Sequence, residues 1–439
     1  MWITTGINRF TESQNIASLV YFRIAFGITM VISTLRFMLK GWVDTLLVQP
    51  NFRFSYFGFE WAQVDMSPTL AWCLILFQLI GAIGILLGFK FRYSAALFAL
   101  SFLCIELQDA SLYLNHYYFV SWVALLLPFT PAAKAFSLDY RVAPRNIQIP
   151  GLWINGFRLF LLLVYFFAGV AKLNPDWLFK AQPLSIWLPA LQEFPLIGSL
   201  LAEPAAAYVA SWFGCVFDLS IGALLWMPTT RKWAYFFVVV FHVFTGLFFQ
   251  IGVFPLVMIC LTPVFFSSAF HLKWLEKFNL KIGPDQSIFL PIARFVYAIS
   301  LLLLCFHLLF PFRYALYPGK LFWTEQGYRF SWRVMLMEKN GYGSFWLEDT
   351  NTGAKWNVDP SEYLLPHQEK QLYTQPDFIL QFAHFLGEQF PDRNQLKVSA
   401  DIYVTLNGSL SQPFINPSVN LQAQKDGWGN KNWINPWNE

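Results

Sequence analysis

The chain has 439 residues, of which 56% are hydrophobic and 13% are charged, whereas soluble proteins carry about 25% charged residues. This composition excludes an ordinary soluble protein, and a net charge of +4 without a basic run offers no phosphate-binding surface to nucleic acid. We therefore expect a multi-pass α-helical membrane protein that contacts lipid and binds no nucleic acid.

Nine apolar segments come near the length of about 20 residues that spans a bilayer. They lie at 15–37, 70–89, 93–108, 112–130, 154–173, 205–227, 233–250, 252–269 and 288–312. The N-terminal stretch lacks the charged region and cleavable apolar segment of a signal peptide, so the first segment is expected to remain as an anchor. The sequence thus predicts a transmembrane domain over residues 1–312.

Positive charges in the connecting loops predict the orientation of these segments, because cytoplasmic loops are rich in Lys and Arg. One side holds Arg9, Lys90, Arg92, Lys134, Arg141, Arg145, Arg231, Lys232, Lys273, Lys277 and Lys281, whereas the other holds little beyond Lys40, Arg53 and Lys180. We expect a cytoplasmic N-terminus, with everything after Phe312 outside the cytoplasm.

Residues 313–439 have a different composition, with Gly, Asn, charged residues and alternating runs such as SFWLED and ADIYVTLNG. Alternation of apolar and polar residues is typical of half-buried strands. The stretch PHQEKQLYTQPDFILQFAHFLGEQF is predicted to be helical. We therefore expect a C-terminal, extracytoplasmic, mixed α/β domain that is rich in strands.

Charged residues within the apolar segments are functional candidates, because placing a charge in the membrane is energetically unfavourable. Arg23, Arg158 and Asp218 fall in the predicted cytoplasmic halves of their segments. Buried charges are usually paired. We interpret these three residues as a structural ion cluster.

A second polar set falls near the opposite face of the membrane: Asp109, Asn115 and His116 by one turn, and Lys172 at the end of the fifth segment. Tyr165 lies two helical turns before Lys172 and therefore on the same helix face. A lysine here either extends its amine to the interface or serves as a base in an apolar pocket that favours its neutral form. The residues alone leave both readings open.

Metal and nucleotide sites find no support in the sequence. The six histidines form no HExxH pattern, the five cysteines form no CxxC pair, and no phosphate-binding glycine loop is present. We expect a site without metal.

Several motifs resemble the vitamin K-dependent γ-glutamyl carboxylases, which belong to the broader horizontally transferred transmembrane (HTTM) family. The run YFFAGVAKLNPDW at 165–177 is similar to the family segment that carries the catalytic lysine, and DASLYLNHYY at 109–118 to the segment with an Asn-His pair. Similarity continues through ASLVYFRIAFG, FDLSIGALL, FHVFTGLFFQIGVFPLVM, QGYRFSWRVML and ADIYVTLNGSLSQPFINPSVNL. The similarity covers nearly the whole chain in order. We interpret the chain as a short bacterial homologue, which implies a bacterial cytoplasmic membrane rather than the endoplasmic reticulum.

The resemblance implies a carbon-carbon lyase that uses vitamin K hydroquinone, O2 and CO2. Lys172 matches the amine that deprotonates the hydroquinone, and His116 with Asn115 matches the pair that supports the resulting oxyanion. Oxygenation on the way to the epoxide then generates a base strong enough to remove a glutamate γ-proton, and the carbanion takes up CO2. An apolar site shields this base from water.

The resemblance also implies substrate-binding residues. Tyr165, Tyr113 and Asp109, with His242 as a weaker candidate, are expected to line the quinol site, and Tyr328 and Trp332 to contact a glutamate-containing protein or peptide. Tyr328 and Trp332 fit ordinary domain packing equally well.

Two alternatives remain open. One is a quinol epoxidase, acting on a menaquinol for example, that carboxylates no protein. The other, from a different functional class, is a lipid-binding or transport protein in which Lys172 holds an anionic headgroup.

Overall fold

The computed structural model describes residues 10–140, 146–277, 287–390 and 396–438. The helices of the N-terminal part are α1 (Ala17–Leu39), α2 (Pro68–Leu87), α3 (Phe91–Glu106), α4 (Asn115–Leu126), α5 (Leu152–Lys172), α6 (Pro175–Lys180), α7 (Leu184–Trp187), α8 (Gly198–Ala202), α9 (Pro204–Trp226), α10 (Arg231–Phe248), α11 (Phe254–Leu261), α12 (Ser268–Glu276) and α13 (Arg294–Leu309). Every predicted apolar segment therefore contains a helix.

Five of these helical segments are long and apolar enough to cross a membrane, or six if the bent pair of α11 and α12 forms one broken span. The count of nine is not confirmed. One reason is length: α3 has 16 residues and rises about 24 Å at 1.5 Å per residue, less than the roughly 30 Å of a bilayer core. The 12 residues of α4 fall further short.

A small three-stranded sheet joins three distant segments at one end of the helix bundle. Strand β2 (Asn146–Pro150) pairs antiparallel with β1 (Ser13–Asn15) and parallel with β3 (Ser287–Phe289). The N-terminal segment and the connections before α5 and before α13 therefore lie at the same end. Which end faces the cytoplasm remains a prediction from the loop charges, of which Arg9, Arg141, Arg145 and Lys281 lie outside the described residues.

The C-terminal domain contains an antiparallel sheet in the order β5-β4-β6-β7. The strands are β4 (Lys339–Asp349), β5 (Lys355–Val358), β6 (Leu396–Leu406) and β7 (Gln412–Pro413), and the helices are α14 (Leu321–Thr324), α15 (Pro366–Leu372) and α16 (Pro376–Glu388). The runs SFWLED and ADIYVTLNG fall in β4 and β6, so the predicted strand-containing domain is confirmed. The predicted single helix is two, because Pro376 begins a new helix at a position where proline lacks only an unused N–H.

The C-terminal domain packs directly on the membrane-proximal loops. Gln368 donates a 2.7 Å hydrogen bond to the buried carboxylate of Asp109, and Phe54 stacks on Phe378 with ring centroids 4.1 Å apart. Burial raises the pKa of Asp109 above its usual value, although hydrogen bonds from Ser111 and Gln368 lower it. Asp109 thus links the loop before α4 to α15, and its predicted contact with the quinol stays a prediction.

A part-buried ion pair between Arg329 and Asp377 stabilises the same domain. Burial alone raises the pKa of Asp377, but the charge and hydrogen bond of Arg329, together with the charge of Lys431, hold this pKa below its usual value. A carboxyl with a depressed folded-state pKa contributes stability above its unfolded pKa of about 3.9, and this stability is lost as pH falls through the folded value.

We predict that Asp377→Asn lowers the stability of the full-length protein by about 2 kcal/mol at pH 7, the range of a charge-assisted hydrogen bond. The difference from wild type should shrink below about pH 4. Thermal unfolding in detergent between pH 3 and 7 measures it, with the exposed Glu362 changed to Gln as the matched control. A constant difference across this range would contradict the role of the ion pair.

Candidate functional site

Lys172 is the last residue of α5 and is buried, with 6% of its surface exposed. Its Nζ donates to Oδ2 of Asp218 at 2.6 Å and to the carbonyl oxygen of Ala168 at 3.3 Å, and lies 5.1 Å from the centre of the Trp177 ring. The amine therefore does not extend into water. It is held inside the protein by a carboxylate from a neighbouring helix.

Close packing between α5 and α9 brings these two residues together. A Cβ atom at Gly169 would lie 2.8 Å from Leu219, and one at Gly222 would lie 2.8 Å from Leu162. The two glycines allow the helix backbones to approach. Since α9 begins at Pro204, Asp218 lies about 21 Å along its axis, beside the end of α5.

The predicted ion cluster is wrong in its partners. Asp218 pairs with Lys172, whereas Arg23 donates to the carbonyl oxygens of Ala132 and Phe136. The guanidinium of Arg158 donates to backbone carbonyls of Val264 and Phe266 and to the side chain of Asn155. Arg158 thus satisfies carbonyls at the end of a short helical segment, Thr262–Phe265, which lack intrahelical partners, whereas Arg23 satisfies carbonyls of the loop over residues 131–139. Asp218 also lies level with Lys172, so the prediction that puts these two residues in opposite halves of the membrane cannot hold for both.

Tyr165 lies on the face of α5 that carries Lys172, and both side chains contact α9 or α10. The hydroxyl of Tyr165 is 3.0 Å from Nε2 of His242, and its ring lies 5.9 Å from that of Phe217. Phe254 then connects His242 to His116, with ring centroids 5.5 Å and 5.7 Å away. Tyr165, His242 and His116 therefore belong to one buried aromatic cluster.

His116 is buried, and within the described part of the chain its Nε2 has no hydrogen-bond partner. Asn115 is differently placed: its side-chain oxygen accepts from the Tyr113 hydroxyl at 3.0 Å, and its amide donates to the carbonyl oxygen of Arg333 at 2.9 Å. An unpaired buried nitrogen is energetically unfavourable unless a ligand satisfies it. His116 is therefore the better candidate for a ligand contact.

Two cavities lie where the membrane helices meet the C-terminal domain. The first, of about 640 Å³, is largely apolar and is lined by residues that include Tyr113 and Tyr328. The second, of about 1010 Å³, is bounded by residues on both sides of Lys172 together with Lys180, Lys320 and Arg333. Asp176 in the same wall pairs with Lys180 and Lys320, but the cations outnumber it, and the remaining positive charge favours acidic groups in this second cavity.

Trp332 inserts between membrane helices rather than facing either cavity. Its ring lies 5.0 Å from that of Tyr118 and 5.8 Å from that of Phe160. Its indole nitrogen has no partner within the described chain. Tyr165 and Tyr113, which were predicted to line one site, lie in different places. Tyr113 faces the first cavity, whereas Tyr165 is buried against His242.

The sequence interpretation missed two features of the site. Asp218 was assigned a structural cluster, although its place in FDLSIGALL, one of the family-like runs, was a signal of function. The cationic wall of the second cavity combines Lys180 and Lys320, which are 140 residues apart in the sequence. No short motif reveals such a combination.

Family models match the two parts of the chain. Residues 11–270 match the HTTM domain, and residues 292–439 match the vitamin K-dependent gamma-carboxylase lumenal domain. The chain belongs to the vitamin K-dependent carboxylase family. Its resemblance to this family is thereby confirmed, and it is an integral membrane protein, because HTTM domains are transmembrane domains. No solved structure matches the chain significantly.

Membership in the carboxylase family connects the chain with vitamin K, with O2 and CO2, and with glutamate-containing substrates. Among the described residues, no group of three or more His, Cys, Asp or Glu side chains is suited to hold a metal ion. The metal-free site remains a prediction. The family match does not assign roles to Lys172, Asn115 or His116, which depend on the contacts above.

Proposed function

We propose that the protein couples oxygenation of vitamin K hydroquinone to its epoxide with carboxylation of glutamyl side chains by CO2. The observation that carries this proposal is the buried amine of Lys172, held 2.6 Å from Asp218 beside a cavity with cationic walls. The bound hydroquinone supplies the oxygen chemistry and the strong base that no side chain provides.

The buried cluster offers unpaired ring nitrogens to the polar groups of an aromatic ligand. His116 Nε2 and His242 Nδ1 lack hydrogen-bond partners within the described chain, and Phe254 lies between the two rings. A ligand hydroxyl or carbonyl would satisfy these nitrogens. We propose that His116, His242 and Tyr165 orient the quinol, with Asn115 holding the start of α4 in place through its bonds to Tyr113 and Arg333.

In this proposal Lys172 removes the first proton. Transfer of one Nζ proton to Oδ2 across 2.6 Å leaves a neutral amine and a neutral carboxylic acid. The amine then accepts a proton from a quinol hydroxyl, so the pair carries one positive charge and the quinol oxygen carries one negative charge. Exclusion of water from this buried pair strengthens the attraction between these two charges.

The second cavity is the proposed entrance for the glutamyl side chain. Arg333 and Lys320 in its wall suit a carboxylate. Tyr328 lines the first cavity and Trp332 packs against Tyr118 and Phe160, so their contact with a glutamyl substrate stays a prediction from the family resemblance. The loop charges support a C-terminal domain outside the cytoplasm. The family resemblance supports a bacterial cytoplasmic membrane as the location of the protein.

An assay of the full-length protein in nanodiscs tests the proposal. The mixture contains vitamin K hydroquinone, O2, labelled bicarbonate and a short glutamate-containing peptide, and epoxide and peptide-bound label are measured separately. We expect both products. Epoxide without label would favour a quinol epoxidase, and neither product from folded protein would favour lipid binding or transport.

A further inference from the structure

A small gap lies over Gly252, in the connection between α10 and α11. This glycine has a φ of +64°, and a Cβ atom built on it would lie 3.8 Å from Nε2 of His116 and 3.9 Å from Nη1 of Arg36. A histidine nitrogen and a guanidinium therefore border the same gap. A side chain at position 252 would both strain the backbone and fill that gap.

Arg36 reaches this gap from the last turn of α1. Its guanidinium lies 4.7 Å from the centre of the Trp42 ring, which fixes its plane near the helix end. His116 reaches the gap from the first turn of α4, and its Nε2 is buried without a partner within the described chain. Three separate segments thus meet at one point.

The two side chains have a chemistry that suits an oxygen anion. Across the described ranges, neither Arg36 nor His116 is ion-paired with a carboxylate. A guanidinium keeps its charge at every relevant pH and donates in a fixed plane, and a neutral imidazole can donate from Nε2. Converging donors of this kind stabilise a developing oxyanion.

We infer that Arg36 and His116 together bind the anionic oxygen of a deprotonated naphthoquinol in the gap over Gly252. The inference rests on the proposed function and adds Arg36 as a binding residue. Asn115, expected from sequence to be the partner of His116, instead uses its side chain to bond Tyr113 and Arg333.

Two stable analogues test this inference without turnover. The compound 2-hydroxy-1,4-naphthoquinone is ionised at neutral pH, whereas 2-methoxy-1,4-naphthoquinone has the same ring and no charge. Quenching of tryptophan fluorescence measures the binding of each analogue to the full-length protein in nanodiscs. Arg36→Gln should weaken binding of the anion by about 10- to 100-fold, the loss of one charge-assisted hydrogen bond, and leave binding of the neutral analogue unchanged.

Lys40→Gln is the matched control, because Lys40 also lies over the Trp42 ring, at 5.3 Å, but does not border the gap. Arg36→Lys should lose less than Arg36→Gln, since it keeps the charge but not the planar fork. The inference would be overturned if Arg36→Gln and Lys40→Gln bound the anion equally well, or if Arg36→Gln lost binding of both analogues to the same extent. Either result would leave the proposed quinol function standing. Failure of the wild type to bind either analogue would overturn the quinol function and this inference with it.

Discussion

Replacing Lys172 with methionine should lower both epoxide formation and peptide carboxylation by about 10²- to 10⁴-fold, the usual contribution of a positioned general base. Methionine occupies a similar volume in the buried end of α5 but cannot accept a proton. Both products should fall together, because in the proposed sequence every carboxylation follows from the first deprotonation. Initial rates of epoxide and of bound label, measured in the same reaction, provide the test.

Lys172→Arg distinguishes a role of Lys172 as a base from a role as a positive charge. The guanidinium retains attraction to Asp218, but it does not deprotonate in proteins, so we expect the arginine variant to be as inactive as the methionine variant. Lys180→Arg is the matched control, since the Lys180 side chain is 68% exposed and pairs with Asp176 at the same end of the bundle. Normal turnover by Lys172→Arg would contradict the assignment of Lys172 as a base. It would favour the alternative in which residue 172 binds an anionic headgroup.

The sequence predicted those features of the site that depend on neighbours along one helix. Tyr165 and Lys172 are seven residues apart, and helical geometry alone places them on one face. The alternating pattern of β4 and β6 likewise predicted the C-terminal strands, because strand periodicity is local. Such predictions require no knowledge of what the helix or strand packs against.

The partner of Lys172 was not predictable in this way. Asp218 is 46 residues further along the chain, and its depth depends on where α5 ends and α9 begins. Counting from the predicted segment boundaries placed the two residues in opposite halves of the membrane. Only the close packing at Gly169 and Gly222 sets the actual register between the helices.

The count of nine spans is not confirmed, and the length of two helices is one reason. Apolar stretches at 93–108 and 112–130 contain the short helices α3 and α4, with Asp109 between the two helices and His116 in the first turn of α4. Hydropathy measures the preference of a stretch for lipid. It does not distinguish a full span from a shorter helix that is buried against neighbouring helices.

Asp218→Asn should destabilise the protein by about 3–5 kcal/mol, because it leaves the ammonium of Lys172 buried without a counter-charge. It should also abolish most of the epoxide formation, since an amide neither accepts a proton from Nζ nor stabilises the charged amine. Unfolding in detergent and turnover at a temperature where the variant is folded measure the two effects. Asp65→Asn is the control, because Asp65 is exposed and forms no ion pair among the described residues, so its change should alter stability by less than about 0.5 kcal/mol.

The double variant Lys172→Met/Asp218→Asn distinguishes a pair from two independent residues. With the ammonium removed, the amide no longer faces an unpaired charge, so most of the lost stability should return while activity stays absent. Recovery of stability would show that the two side chains stabilise the fold through each other. If Asp218→Asn instead lowers stability equally in both backgrounds, Asp218 stabilises the fold through contacts other than Lys172, and its proposed role in proton transfer loses its structural basis.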